Sequence, residues 1–297
     1  MPPPAARAPD AAAGGRVNLA VVEAVAGIAL LSGMDALIKG VAARYPVVEV
    51  AFLRFVVGAI VIAGVLAIVR PGRPSRETLL VNGGRAVLVV ITATTFFYAL
   101  SALPLAEALA LSFLAPVFIA VFGALILGER IDRRIVGALL AGFVGMIVIV
   151  SGKAGSGSFS GSALTGALAA VVAAVTYALA MVLLRARAAK DPVVTIVALQ
   201  NVVPGLILLV PAWIVWVPPT GADLVLFAVI GTLAVMGHLL LARAFAKAEA
   251  ARLAPLEYTA LVWAVILGFA FFGEVPTLAT LAGSGLIIGG ALIASRR

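Results

Sequence analysis

Long runs without a single charged side chain are the feature that most limits how this chain can fold. Examples are Ala86–Ala106, Ala108–Gly128, Ile135–Gly152, Leu224–Ala242 and Val275–Ser295. Each is close to the about 20 residues with which a helix crosses a hydrocarbon layer about 30 Å thick. Apolar residues make up 64% of the chain and charged residues only 11%. A water-soluble fold is therefore excluded, because a soluble core of this size could not bury so much apolar side chain.

The pattern predicts an all-α integral membrane protein with ten transmembrane helices. Continuous apolar runs without period-2 alternation argue against a β-barrel. The first 16 residues are rich in Pro, Ala and Gly and are predicted to be a flexible cytoplasmic tail without a cleaved signal peptide, because the apolar stretch that follows is a full span. The predicted helices cover residues 17–38, 47–69, 79–101, 105–127, 132–150, 162–185, 193–216, 223–243, 253–272 and 276–294.

The positive charges predict how the helices are oriented. With a cytoplasmic N-terminus, 17 of the 21 Lys and Arg residues fall in cytoplasmic segments, three fall in outer segments and Arg54 lies within a helix. Cytoplasmic loops normally carry such an excess. Both termini are therefore predicted to be cytoplasmic, and the net charge of +8 needs no nucleic-acid partner to explain it. The 17 residues are Arg7, Arg16, Arg70, Arg73, Arg76, Arg85, Arg130, Arg133, Arg134, Arg185, Arg187, Lys190, Arg243, Lys247, Arg252, Arg296 and Arg297.

The two halves of the chain resemble each other at an offset of 145 residues. Leu111–Glu129 can be laid over Leu256–Glu274, and both segments are apolar helices that end in Gly-Glu. Glu49–Gly58 and Ile196–Gly205 form a looser second match. Because each half has an odd number of helices, the second half must be inverted relative to the first. Inverted repeats are typical of alternating-access transporters, whose site lies between the halves near the midplane.

On these features the sequence resembles the drug/metabolite transporter superfamily, in its ten-helix EamA-type branch. The matching residues are Phe52-Leu-Arg54, the fourth-helix pattern from Pro116 to Leu127-Gly-Glu-Arg130, and Gly273-Glu274 in the second half. The second half departs from the pattern, since Leu261 replaces Pro116 and Val275 replaces Arg130. The resemblance covers residues 17–295.

The resemblance implies an exporter of amino acids or related small metabolites in a bacterial-type inner membrane, with the aromatic amino-acid exporters as the most similar type. Multidrug and nucleoside or sugar transport on the same fold are the alternatives. It implies a tail at 1–16, a first five-helix repeat at 17–150, an extracytoplasmic linker at 151–161 and an inverted repeat at 162–297. No cofactor is implied, and a monomer and a homodimer both stay open.

Ionisable side chains within a membrane span are costly, so each is a candidate for function. Arg54 must face a cavity or a carboxylate, either that of a substrate, which its bidentate fork suits, or that of Glu49 or another acid of the fold. Asp35 and Lys39 are spaced to pair on one helix face. Glu23 is a candidate coupling residue, as in small multidrug exporters, or else lies at headgroup level. His238 could titrate near neutral pH or be a packing residue.

A polar stripe on the third helix predicts one wall of a central site. Thr92, Thr95, Tyr98 and Ser101 follow at steps of three, although threonines often bond only to their own helix. The other candidate substrate-binding residues are Glu257, Tyr258 and Trp263 on the ninth helix and Tyr177 on the sixth. The carboxylate would bind a substrate ammonium and the aromatic faces its side chain.

Proline and small residues predict where helices bend and where two helices approach each other closely. Pro116 removes the helical bond to the Ser112 carbonyl and is a candidate hinge. Small residues at Gly137, Ala141, Gly145, Gly285 and Gly289 would let helices approach closely.

An integral-membrane enzyme is the alternative from another class. The sequence has no HExxH, no paired histidines and no phosphate-binding glycine loop, and its zero cysteines exclude thiolate metal sites. Its loops are too short for a catalytic domain. We therefore predict a transporter that is not an enzyme and holds no metal.

Both termini are expected to resist labelling from outside. The variants Asp10→Cys and Arg297→Cys place single thiols at the two ends of the cysteine-free chain. An impermeant maleimide added to intact cells should react with neither, whereas Ser158→Cys in the predicted outer linker should react. Labelling of either terminus on intact cells would overturn the assigned orientation.

Overall fold

A computed structural model describes residues 11–127, 133–154, 161–185, 191–247 and 259–295. Every regular element within these ranges is an α-helix. The helices are α1 (Ala11–Ala42), α2 (Val47–Val69), α3 (Arg76–Ala102), α4 (Leu105–Ser112), α5 (Ala115–Leu127), α6 (Arg133–Ala154), α7 (Gly161–Arg185), α8 (Val193–Ile214), α9 (Gly221–Lys247), α10 (Thr259–Phe272) and α11 (Leu278–Ser295).

Ten membrane spans can be assigned to these helices. Seven are long and apolar enough to cross a membrane, and α4 and α5 together form one of them, Leu105–Ile126. Shorter apolar stretches in α6, α10 and α11 supply the remaining three. Helices are required here because no water is present in the bilayer core to hydrogen-bond exposed backbone groups. The predicted ten-helix fold is thus confirmed.

Two predicted boundaries differ from the structure in an informative way. Helix α1 begins at Ala11 rather than at residue 17, because the alanines at its start are strong helix formers. The predicted fourth helix is broken: α4 ends at Ser112 and α5 begins at Ala115. Pro116, which lacks an N–H group, leaves the Ser112 carbonyl without its helical donor. Its role as a hinge stays a prediction.

The most extensive helix contacts all join one half of the chain to the other. They are those of α1 with α9, α3 with α7, α2 with α8, and α6 with α11. Exchanging the halves turns the α1–α9 pair into the α7–α3 pair and maps α2–α8 and α6–α11 onto themselves. This is the pattern that an inverted repeat with a pseudo-two-fold axis produces.

The direction of the helices defines two membrane faces. We call the face at which α1 begins the near face and the opposite one the far face. With ten spans, α11 ends on the near face. Contacts between helix ends agree: Tyr45, just after α1, bonds Asp223 at the start of α9, and Glu23 near the start of α1 pairs with Arg243 near the end of α9.

Glycines allow α6 and α11 to cross in backbone contact. A β-carbon added at Gly145 would lie 2.6 Å from the Gly283 carbonyl oxygen, and one added at Gly283 would lie 2.6 Å from the Gly145 carbonyl oxygen. Of the four glycines predicted to allow close approach, only Gly145 lies at this crossing. A β-carbon at Gly137, Gly285 or Gly289 meets nothing within 4 Å, because these positions point away from the crossing.

The variant Gly283→Leu should destabilise the fold, because its side chain would force α11 away from α6. Overpacking of this kind costs about 1–3 kcal/mol, so the unfolding midpoint of the purified protein in detergent should fall by several degrees. Gly285→Leu on the same helix is the matched control and should unfold near the wild-type temperature. An equal loss in both variants would mean that the Gly145–Gly283 crossing is not what limits stability.

Candidate functional site

Arg54 lies buried inside the bundle with part of its hydrogen-bonding capacity unused. Arg54 is only 5% exposed, and its guanidinium carbon Cζ lies 4.3 Å from the centroid of the Phe55 ring. The opposite charge that faces it is Asp35 of α1, with which it interacts electrostatically. Arg54 Nε and Nη1 have no hydrogen-bond partner among the described residues.

The acids that neighbour these residues in sequence are engaged elsewhere. Glu49 Oε2 accepts a hydrogen bond from the Val217 N–H at 2.9 Å, so Glu49 is held at the far face. Lys39 Nζ lies 3.0 Å from Glu274 Oε1. The predicted Asp35–Lys39 pair is therefore wrong: Lys39 meets Glu274 in the segment between α10 and α11, and the opposite charge with which Asp35 interacts is Arg54 on α2.

Arg85 is a second buried guanidinium, and the charge count misplaces it. Counted above as a cytoplasmic charge, Arg85 lies within α3 and is only 4% exposed. Its Nη2 donates to Gln200 Oε1 of α8 over 3.4 Å, and its Nε has no partner in the part of the chain that the structure describes. The sequence did contain a signal that Arg85 is not a loop residue, because it lies nine residues after Arg76, inside the helix.

His238 and Asn201 lie near the two arginines. The Nδ1 of His238 is 2.6 Å from the Ala234 carbonyl oxygen; since a carbonyl only accepts, Nδ1 is the donor of this hydrogen bond. His238 interacts electrostatically with both Arg54 and Arg85. Asn201 Nδ2 donates to the Val197 carbonyl at 2.8 Å, and its buried Oδ1 is unpaired.

The hydroxyl stripe of α3 faces α7 of the other half. Thr92 Oγ1 shares a hydrogen bond of 2.8 Å with Thr176 Oγ1, and Tyr98 Oη shares one of 2.9 Å with Thr165 Oγ1. Thr95 Oγ1 donates to the Ile91 carbonyl of its own helix. The stripe thus lies at an interface between the halves, where Tyr98 as a residue is 38% exposed.

The remaining predicted substrate-binding residues are only partly described. Trp263 lies on α10 and is half-buried, and Tyr177 lies on α7, where it interacts electrostatically with Arg85. Glu257 and Tyr258 lie outside the described residues. The substrate-binding role of all of these side chains stays a prediction.

Lys39 and Glu274 join the two halves at the far face. Lys39 also donates to the Leu100 and Leu103 carbonyl oxygens at the end of α3, and its Nζ lies 5.4 Å from the Phe272 ring centroid. Helix ends favour these charges, because the last carbonyls attract cations and the first N–H groups attract anions. Glu274 Oε2 accordingly accepts from the N–H of Leu105, the first residue of α4, at 2.8 Å.

The Gly-Glu motif of the second half has a structural reason. Gly273 has a φ of +65°, in the left-handed region that glycine adopts at little cost. The N–H groups of Gly273 and Glu274 donate to the Phe269 and Gly268 carbonyls at 3.0 and 3.1 Å, which ends α10 and turns the Glu274 side chain back toward α1. The first-half motif, Gly128-Glu129, lies outside the described residues.

A related pair of links holds helix ends together on both faces. On the far face Tyr45 Oη donates to Asp223 Oδ2 at 2.7 Å, and on the near face Thr78 Oγ1 donates to Asp191 Oδ1 at 2.7 Å. Asn82 Nδ2 adds a bond of 3.3 Å to Asp191 Oδ2. The repeat symmetry exchanges the two sites, so equivalent helix ends are linked on each face by different side chains.

Glu23 has an ion-pair partner at the near face. Its Oε1 lies 3.5 Å from Arg243 Nε, and the carboxylate is buried while the guanidinium is mostly exposed. This contact joins α1 to α9 across the two halves. The coupling role of Glu23 stays a prediction, as does that of His238. The described residues contain no group of three His, Cys, Asp or Glu side chains that could hold a metal.

Comparison with known proteins gives consistent matches over nearly the whole chain. A model of the EamA-like transporter family matches residues 18–151 and again residues 164–296. A pseudopaline exporter of Pseudomonas aeruginosa is 35% identical over 272 residues, covering 89% of this chain and 92% of the relative.

More distant relatives are named for other transported compounds. An S-adenosylmethionine uptake transporter of Rickettsia bellii is 26% identical over 86% of both chains, and a riboflavin transporter of Rhizobium johnstonii is 29% identical over 71% of this chain and 68% of its own. A solved crystal structure shares the fold with a TM-score of 0.66 at 22% identity, covering 93% of this chain and 96% of that one.

Lys39 and Glu274 are expected to contribute to the stability of the fold as an interacting pair. Lys39→Met and Glu274→Gln should each lower the unfolding midpoint in detergent, because each leaves a partly buried polar group unpaired, at a cost of about 1–3 kcal/mol. The double variant should lose less than the sum of the two single losses. Arg73→Met removes an exposed cation and is the control. Strict additivity would show that the two side chains do not interact.

Proposed function

Because the chain belongs to the EamA-like transporter family, we propose that it exports amino acids or related small metabolites. Aromatic amino acids are one class of these. The family makes the protein a membrane transporter of small molecules rather than an enzyme. The proposal places it in the bacterial-type inner membrane with both termini in the cytoplasm. Residues 17–150 and 162–297 are the two repeats, and 151–161 is the outer linker.

Arg54 is the observation that carries the proposed substrate class. Each buried N–H group that lacks an acceptor costs about 1–3 kcal/mol, and Arg54 has two of them beside its electrostatic partner Asp35. A substrate carboxylate would satisfy both, because guanidinium and carboxylate form parallel charge-assisted hydrogen bonds. Amino acids carry such a carboxylate.

The other residues of the proposed site would bind the ammonium group and the side chain of an amino acid. Tyr98, Thr92 and Thr95 supply hydroxyls at the α3–α7 interface, and Trp263 and Tyr177 supply aromatic faces for an apolar or aromatic side chain. Glu257 and Tyr258 are proposed to bind the substrate ammonium. These residues come from both halves, as a site between inverted repeats requires.

Alternating access fits the way in which the halves meet. The α1–α9 and α3–α7 interfaces exchange under the repeat symmetry, so rocking that opens one face would close the other. The broken span around Ser112 and Ala115, next to Pro116, is the proposed hinge, and Glu23 or His238 would couple transport to protons. Among the relatives, one is named as an exporter and one as an uptake transporter, so direction must be measured.

Transport into proteoliposomes tests the proposal directly. Labelled amino acids, sugars, nucleosides and cationic drugs should be offered with and without a pH gradient, and a carboxylate-bearing amino acid should be transported. Arg54→Gln should abolish that transport, whereas Arg73→Gln, at an exposed position, should leave it unchanged. If Arg54→Gln fails to fold because Asp35 is left uncompensated, Asp35→Asn/Arg54→Gln restores neutrality. Normal amino-acid transport by a folded Arg54→Gln protein would remove Arg54 from the site.

The aromatic and acidic residues are tested in the same assay. Tyr98→Ala and Trp263→Ala should lower transport several-fold with nearly normal expression, and Glu257→Gln should weaken zwitterionic substrates more than neutral ones. Normal flux in all three folded variants would contradict a site between the halves. Loss of folding together with flux would assign these residues to packing.

A further inference from the structure

The two buried arginines leave the described membrane interior with an uncompensated positive charge. Arg54 lies seven residues after the start of α2, which is about 10 Å along that helix. Arg85 lies nine residues after the start of α3, which is about 14 Å along that helix. The other buried carboxylates of the described chain lie toward the two faces, and only Asp35 shares the interior with the arginines. The described interior therefore holds one acid and two guanidinium groups.

Arg85 is the arginine without an acid. Asp35 interacts electrostatically with Arg54, and the interactions that Arg85 makes are with Tyr177 and with the Gln200 amide. The Gln200 contact is long, at 3.4 Å, and Nε of Arg85 is left unpaired. Arg85 is a residue only 4% exposed, and among the described residues its guanidinium has neither an acid nor a full set of acceptors, which favours a bound anion at this position.

The two guanidinium groups lie around the same part of the bundle. His238 of α9 interacts electrostatically with both. Gln200, which contacts Arg85, is followed by Asn201, whose side chain packs against Gly58, one turn beyond Arg54 on α2. A β-carbon at Gly58 would lie 2.2 Å from Asn201 Oδ1, so α2 and α8 are in close contact between the two arginines.

We propose that Arg54 and Arg85 bind two carboxylates of the same substrate, so that this protein transports amino acids or amino-acid derivatives with at least two carboxylate groups. The inference rests on the proposed function and narrows it. The first carboxylate occupies the free Nε and Nη1 of Arg54. The second reaches Arg85 Nε and supplies the negative charge that the described residues lack. Gln200 holds the Arg85 guanidinium in place through Nη2, which leaves Nε free for the substrate.

Pairs of amino acids that differ by one carboxylate group test this inference. Binding of L-glutamate, L-glutamine, L-2-aminoadipate and L-norleucine to the purified protein is measured by the shift of its unfolding midpoint, and uptake of the same compounds is measured in proteoliposomes. The diacids should bind about 10–100-fold more tightly than their single-carboxylate partners, the ratio expected for one charge-assisted contact. Arg85→Gln should remove this ratio by weakening the diacids to the level of their partners, whereas Arg54→Gln should weaken both members of each pair.

The outcomes separate this inference from the proposed function. Equal binding of L-glutamate and L-glutamine by the wild-type protein, with transport of both, would overturn the two-carboxylate inference and leave amino-acid export standing. Transport of no amino acid at all would overturn both. If Arg85→Gln does not fold, Arg85→Met removes the charge with an unbranched side chain, and a diacid preference unchanged in that variant would exclude Arg85 as the second contact. Arg73→Gln should behave as wild type throughout.

Discussion

The lack of water in the hydrocarbon layer is the constraint on which the rest of this structure depends. Backbone groups are satisfied within helices, and Thr92 and Thr95 donate to carbonyls of their own helix. Charged side chains that lie near the faces, such as Lys39 and Glu274, meet each other and the free backbone groups of helix ends. Against this background the unpaired N–H groups of Arg54 and Arg85 are exceptions. Sites that break a general rule of the fold are where function is expected.

The inverted repeat explains why the two halves share helix pairs but differ in their polar chemistry. Equivalent helix ends are linked by Tyr45 and Asp223 on the far face and by Thr78 and Asp191 on the near face. The far face also has the Lys39–Glu274 ion pair. At an offset of 145 residues the near-face counterpart of Glu274 is Glu129, which lies outside the described residues. The symmetric framework therefore joins equivalent helix ends through different side chains on its two faces.

The family membership determines transport, whereas the cargo depends on a small number of interior side chains. Relatives named for pseudopaline, S-adenosylmethionine and riboflavin are all similar to this chain over most of its length. One fold commonly supports many substrates, and the site carries the specificity. In this chain two buried arginines, Arg54 and Arg85, keep unpaired N–H groups in the interior, and Gln200 contacts Arg85. These side chains are features of this sequence, which the fold alone does not specify.

The sequence by itself determined the helical class, the number of spans and the duplication, because length, hydropathy and an odd helix count per half leave few alternatives. It also identified Arg54 as a charge that needs a partner. It could not identify the partner, since Asp35, paired with Lys39 by helical spacing, instead faces Arg54 while Lys39 meets Glu274. Likewise it placed Arg85 at the surface and could not choose Gly283 as the crossing point with Gly145. Those contacts depend on how helices far apart in sequence rotate and cross, and only the tertiary packing of the two halves sets that rotation.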